Sequence, residues 1–141
     1  MRVLIVGCGR VGGLLAGRLT DYGHDVSVVD ANSRSFRRLP DKFPGRVVLG
    51  TGIDEDILRT AGIEQANVFV AVTQDDNTNI MSAQIARSVF GIERVILRIY
   101  DQARAAVYRD LGLTVICPTT TVAGMIEDEV LRSSSAAVRS S

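Results

Sequence analysis

Short β-branched runs alternate along this chain with longer stretches of helical period, and that rhythm restricts the fold more than any other feature. Val3-Leu4-Ile5-Val6, Val26-Ser27-Val28-Val29, Arg46-Val47-Val48-Leu49, Val68-Phe69-Val70-Ala71-Val72, Val95-Ile96-Leu97-Arg98-Ile99 and Thr114-Val115-Ile116 read as strands. A Gly-rich turn follows the first, then a helix to about Tyr22. That helix carries Val11, Leu14, Leu15 and Leu19 on one face. Asn32 or Ser33 caps a short helix through Leu39, and Asp54 caps another to about Ala61. Further helices are predicted over about Thr78–Phe90 and Ala103–Leu111. Pro118 marks a break before a last helix, about Thr121–Leu131, and 133–141 reads as a disordered tail.

Strand–helix alternation with near-continuous apolar strands predicts a parallel sheet buried on both faces. Right-handed crossovers then give a doubly wound, Rossmann-like six-stranded sheet in the order 3-2-1-4-5-6, with an extra C-terminal helix. The 141 residues fit one domain, taken as 1–132. Sixteen basic residues balance sixteen acidic ones, which disfavours binding to nucleic acid through phosphate neutralisation. No apolar run approaches the roughly 20 residues that span a bilayer. The apolar start, Met1 to Val6, breaks at Gly7 and is too short for a signal peptide, so a cytoplasmic location is expected.

Gly7-Cys8-Gly9-Arg10-Val11-Gly12 follows a strand and opens an amphipathic helix, the setting in which GxGxxG binds a pyrophosphate. Gly7 makes the tight turn, Gly9 lets the backbone approach phosphate, and Gly12 lets helix and strand pack closely. Asp30 closes the second strand about 20 residues on, where a carboxylate accepts from both ribose hydroxyls of an adenosine. It also repels a 2′-phosphate, which favours NAD or an adenine mononucleotide over NADP. Arg34, Arg37 and Arg38 stand close enough in sequence to weaken that repulsion, or they form a solvated helix face.

In this fold ligands lie outside the carboxyl ends of the strands. Gly50 and Thr51 end the third strand and Thr73 the fourth, with Asp75, Asp76 and Asn77 beyond. Arg98, near the end of the fifth, needs a partner there: a phosphate or a structural salt bridge. Arg10, inside the Gly turn, reaches a terminal phosphate or an adjoining subunit, or is simply exposed. The single His, His24, falls at the opposite edge of the sheet, badly placed for acid–base work on a ligand. Cys8 and Cys117 are set about 14 Å apart by three strand spacings, beyond the about 7 Å that a disulfide spans.

These residues resemble the RCK/KTN (TrkA N-terminal) domains, cytosolic nucleotide-binding regulators of potassium channels and transporters. The matching stretches include Val6 to Gly12, Gly23 to Asp30, Gly50-Thr51-Gly52, Leu58 to Asn67, and Val72-Thr73-Gln74-Asp75-Asp76-Asn77-Thr78-Asn79. The resemblance implies a regulatory module, not an enzyme, with no catalytic residues. Its ligand would be NAD(H), ATP, ADP or AMP, lined by Gly7, Gly9, Arg10, Gly12, Asp30, Arg34, Thr51, Thr73 and Arg98, with Val11 and Gly50 in the same stretches. It further implies a homo-oligomer docked on a membrane potassium transporter or channel subunit, at the inner face of the membrane. Two positions depart from the family pattern. Gly50-Thr51 stands where Gly-Asp is frequent, and Thr119 follows Pro118 where some members carry an acidic metal ligand, so no metal is expected. Many relatives carry a second, C-terminal ligand domain, and the chain is expected to end before one.

A rival reading is the cofactor domain of an NAD-dependent oxidoreductase whose substrate domain lies elsewhere. A third is a sensor of the NADH/NAD ratio. In the last helix Val122, Met125, Ile126 and Val130 form one apolar stripe. It packs back on its own domain or crosses to a neighbouring subunit.

Overall fold

A computed structural model describes the backbone of residues 1–140 and the side chains of residues 1–132. Strands β1 (Arg2–Val6), β2 (Asp25–Asp30), β3 (Arg46–Leu49), β4 (Val68–Ala71), β5 (Arg94–Arg98) and β6 (Thr114–Ile116) form one sheet. Its order is β3-β2-β1-β4-β5-β6, all parallel, as the alternation predicts. Helices α1 (Arg10–Asp21), α2 (Glu55–Thr60), α3 (Asp76–Ser88) and α4 (Gln102–Asp110) cover its faces, and α5 (Pro118–Ser140) follows β6. A 3-10 helix, Ser33–Arg38, links β2 to β3.

Successive strand residues point to opposite faces, so the core divides in two. Leu4, Val6, Val29, Phe69, Leu97 and Ile99 pack with Leu58, Ile80 and Ala83. Val3, Ile5, Val26, Val28, Val68 and Val70 pack on the other face with Ala16 of α1 and Phe36 of the 3-10 helix. β1 is buried on both sides from Val3 to Val6, as the centre of a parallel sheet requires. The register sets Val6 beside Val29 and Ala71, Asp30 beside Leu49, and Arg98 beside Ile116. The carboxyl ends of the strands therefore meet along one edge.

Several boundaries move, each for a local reason. α3 begins two residues before the predicted Thr78, because Asp75 is its cap: its carboxylate accepts from the Thr78 N–H at 3.2 Å and the Thr78 hydroxyl at 2.6 Å. Pro118 does not precede the last helix but opens it, with the Thr121 N–H donating to the Cys117 carbonyl at 3.0 Å. A proline is preorganised for the first helical position, where its missing N–H costs nothing. The backbone of α5 runs on to Ser140, and the tail expected over 133–141 falls where side chains lie outside the described residues. Residue 141 and the side chains beyond Arg132 lie outside the described residues.

Candidate functional site

The chain turns from β1 into α1 at Gly7, whose N–H donates to the Val29 carbonyl at 2.8 Å and whose φ is +108°. A Cβ there would sit 2.7 Å from the Thr73 nitrogen and 2.8 Å from the Val72 carbonyl carbon, so the turn is pressed against the end of β4. Gly12 is tighter still: a Cβ would lie 1.8 Å from the Gly7 carbonyl oxygen. Gly9 differs from both, because nothing stands within 4 Å of its Cβ position. Gly9 also lines a crevice of about 730 Å³, within the about 300–1,000 Å³ of small-molecule sites.

The crevice opens where β1 and β4 diverge, the switch point of a doubly wound sheet. Gly7, Gly9 and Arg10 form its floor, Asp30, Gly50 and Thr51 one end, and Thr73 the other. These seven are the predicted residues that the fold brings together. At the start of α1, Gly9 caps without a side-chain bond and the first turn holds no acidic residue. The first helical bond runs from the Gly13 N–H to the Gly9 carbonyl. The N–H groups ahead of it have no partner within the helix, so that end favours an anion.

Asp30 is half-buried and already bonded. One carboxylate oxygen accepts from the Cys8 N–H at 2.7 Å and the other from the Asn32 N–H at 2.8 Å. Each oxygen keeps a second lone pair, so two acceptor positions remain for ribose hydroxyls. Burial, and then the Asp30 charge beside it, raise the Cys8 thiol to about 11 against a lowering by Arg38, so Cys8 is a neutral thiol at physiological pH. At the far end the Thr78 hydroxyl bond holds the Asp75 carboxyl below its usual range, so that end of the crevice carries a negative charge.

Four predicted residues lie outside the lining. Gly12 is buried beneath the turn, and Val11 faces away from it with half its surface exposed. Arg34 is exposed on the 3-10 helix, its N–H donating to the Asn32 side chain at 3.0 Å. Arg98 resolves to neither of the two expected partners. Its Nη2 donates to the Val72 carbonyl at 2.8 Å and the Thr73 carbonyl at 2.9 Å, behind the crevice wall.

The structure also adds residues. Asn32, Ser35 and Arg38 share one edge of the 3-10 helix and line the crevice together. In a 3-10 helix side chains three apart eclipse. Of the three arginines near Asp30, all exposed, that period sets Arg38 on the crevice and leaves Arg34 and Arg37 off it. The signal was present in the spacing, but it is readable only once the turn is known to be 3-10 and not α. Gly52, Gln74 and Thr78 also line it.

Among the described residues no His or Cys lines this space. His24 lies at the amino edge, its Nδ1 3.0 Å from the N-terminal nitrogen. Cys8 and Cys117 are buried free thiols just past the ends of β1 and β6, strands three positions apart in the sheet. Among the described residues no three His, Cys, Asp or Glu side chains gather as a metal-binding group, and no helix is long and apolar enough to cross a membrane.

The TrkA-N domain family model matches residues 3–118. The chain is 49% identical over 132 residues to the Trk system potassium uptake protein TrkA of Streptomyces coelicolor, covering 94% of this chain and 57% of that protein. It therefore spans a little over half the length of that relative. Among solved structures it is similar in fold to the TrkA-N domain of the Escherichia coli inner membrane protein ybaL, with a TM-score of 0.80 at 23% identity over 90% of this chain and 94% of that one. It is similar also to the GsuK channel bound to NAD, with a TM-score of 0.79 at 24% identity over 96% of this chain and 24% of that one. With a matching family model over residues 3–118, a doubly wound sheet in the order 3-2-1-4-5-6 and a Gly-rich turn at its switch point, the chain belongs to the TrkA-N domain family.

Proposed function

We propose that this domain reads an adenine nucleotide, one of NAD(H), ATP, ADP and AMP, and passes its occupancy to a membrane potassium transporter or channel subunit. The observation that carries this reading is the open Gly9 position facing the same crevice as Asp30, one suited to pyrophosphate and the other to ribose. Solved structures of similar fold, described as the GsuK channel bound to NAD, GsuK bound to ADP and a Kef C-terminal domain bound to AMP, support an adenine nucleotide as the class of ligand. The potassium-uptake names of the relatives support the partner and, with it, a place at the inner face of the membrane. We read the domain as regulatory and not enzymatic, because its only His stands at the opposite edge from the crevice. The mechanism is linkage: a nucleotide shifts the assembly only by its differential affinity for two states.

Calorimetry of the full chain with NADH, ATP, ADP, AMP and adenosine tests this reading, and binding of none of them refutes it. Arg10 lines the floor beside the helix end, where a guanidinium meets phosphate. Arg10→Gln is expected to weaken ADP by about tenfold, the worth of one charge-assisted bond, and adenosine hardly at all. Equal losses for both would remove Arg10 from the phosphate site.

We also propose that the domain is a homo-oligomer held in part by α5. Val122, Met125, Ile126 and Val130 are each more than half exposed, so α5 does not fold its stripe onto its own domain. Burying it on a second copy removes apolar surface worth about 25 cal/mol per Å² before the costs of association. Glu127, Asp128 and Glu129 flank that face and bias partner choice more than affinity. A chain ending at Pro118 is expected to sediment as a monomer while keeping the helix content of α1–α4. Full-length protein that is itself a monomer at about the tens-of-micromolar range would overturn the α5 contact.

A further inference from the structure

The crevice wall at Thr73 is wired to the start of α5. Asn79, fully buried on α3, uses its whole amide on this task. Its Oδ1 accepts from the Thr73 N–H at 2.9 Å and the Thr73 hydroxyl at 2.7 Å. Its Nδ2 donates to the Thr73 carbonyl at 3.0 Å and the Arg98 carbonyl at 2.9 Å. An amide is planar and all four of its bonds are made, so a shift of Thr73 carries the Arg98 backbone with it. The Arg98 guanidinium grips the same Thr73 carbonyl from β5 and lies 5.0 Å from the centre of the Tyr100 ring. The Tyr100 carbonyl in turn accepts from the Cys117 Sγ at 3.6 Å and the Thr119 hydroxyl at 3.4 Å, the residues on either side of Pro118 where α5 begins.

Two features make this chain of contacts responsive and not merely rigid. The Thr73 hydroxyl has a single proton, placed within reach of both the Asn79 Oδ1 and the Asp75 carbonyl, and Thr73 lines the crevice. A ligand oxygen that accepts this proton takes it from one of them. Among the described residues the buried Arg98 Nε has no hydrogen-bond partner, so the guanidinium is not fully tied down. Coupling between separate sites requires an element with two arrangements, and this shared proton and unpaired Nε are where a second arrangement would form.

We propose that Asn79 and Arg98 are positioning residues that set Thr73 for the nucleotide and relay its engagement through Tyr100 to the first turn of α5. This inference rests on the nucleotide reading above and adds the route by which occupancy leaves the crevice.

Hydrogen exchange with peptide mass spectrometry tests it on the full chain, with and without saturating NADH or ADP. Slowed exchange across 7–14 reports occupancy of the glycine turn. Across 113–124, at the β6–α5 junction, the exchange rate is expected to change by about fivefold or more, the low end of allosteric coupling. In Arg98→Met the glycine turn is expected still to be protected while the junction stops responding. If Arg98→Met loses its helix content, the double variant Cys117→Ala, Thr119→Val decides, since it removes both contacts to the Tyr100 carbonyl and leaves Arg98 and the crevice alone. No protection of the glycine turn by either nucleotide overturns the nucleotide reading, and the relay with it. Protection of the turn with an unresponsive junction in the unaltered chain overturns the relay alone. So does a junction response that survives in the variants.

Discussion

Replacing Gly12 with alanine is expected to cost both stability and nucleotide binding. The added methyl would lie 1.8 Å from the Gly7 carbonyl oxygen and 2.9 Å from the Gly7 carbonyl carbon. Both are backbone atoms, and neither can step aside as a side-chain tip would. Gly7 has no freedom to yield either, since its own Cβ position is 2.7 Å from the Thr73 nitrogen just past β4. The start of α1 must therefore lift off the sheet, carrying the helix N-terminus away from the phosphate position. Overpacking of this kind costs about 1–3 kcal/mol, and more where the backbone must move. Thermal unfolding of Gly12→Ala should show a lowered midpoint, and calorimetry should show no measurable NADH or ADP binding even where the variant is folded. Wild-type affinity would mean that the turn has room which the structure denies it. Gly9→Ala provides the contrast. Nothing occupies its Cβ position, so its fold should be unharmed while a methyl now projects toward the ligand.

Asp30→Ala is expected to act on two quantities at once. From its place in the sequence, at an exposed edge, Asp30 reads as a ligand residue whose loss leaves the fold intact. Its half-buried carboxylate instead accepts from the Cys8 and Asn32 N–H groups, tying the glycine turn to the end of β2. Removing it leaves those two donors without their acceptor, at about 1–3 kcal/mol for each one that water cannot reach. It also removes the acceptor for ribose hydroxyls, with charge-assisted bonds worth about 1.5–3 kcal/mol each, or at least tenfold in affinity. Calorimetry with adenosine and ADP should show similar losses, because both carry the ribose, in contrast to Arg10→Gln. Unchanged affinity for every adenine nucleotide would remove Asp30 from the ribose site. Asp30→Asn separates the two roles. It keeps a carbonyl acceptor for one of the two N–H groups, and so should recover part of the stability, but it loses the charge that strengthens the ribose bonds.

Which features were legible in the sequence follows from what depends on near neighbours alone. The strand order needs only the βα alternation and the handedness of crossovers. That Gly7, Gly9, Asp30, Gly50, Thr51 and Thr73 meet at one edge needs only that each ends a parallel strand or begins the helix after it. These are short-range facts, and the sequence by itself determined them.

The tertiary structure decided where long side chains point. Arg98 ends a strand facing β4, and only the β4–β5 register puts the Val72 and Thr73 carbonyls within its reach. Arg38, not Arg34, lines the crevice because the linker from β2 winds with three residues per turn, while Phe36 of that linker packs on the sheet. The second function of Asp30 depends on how closely the glycine turn approaches the end of β2, a distance set by residues 22 positions apart in the chain. The α5 stripe is apolar in any reading of the sequence. Whether it lies on its own domain depends on where α5 leaves the sheet, and Pro118 starts that helix with its stripe facing outward. In each case the outcome rests on contacts between segments that no local period brings together.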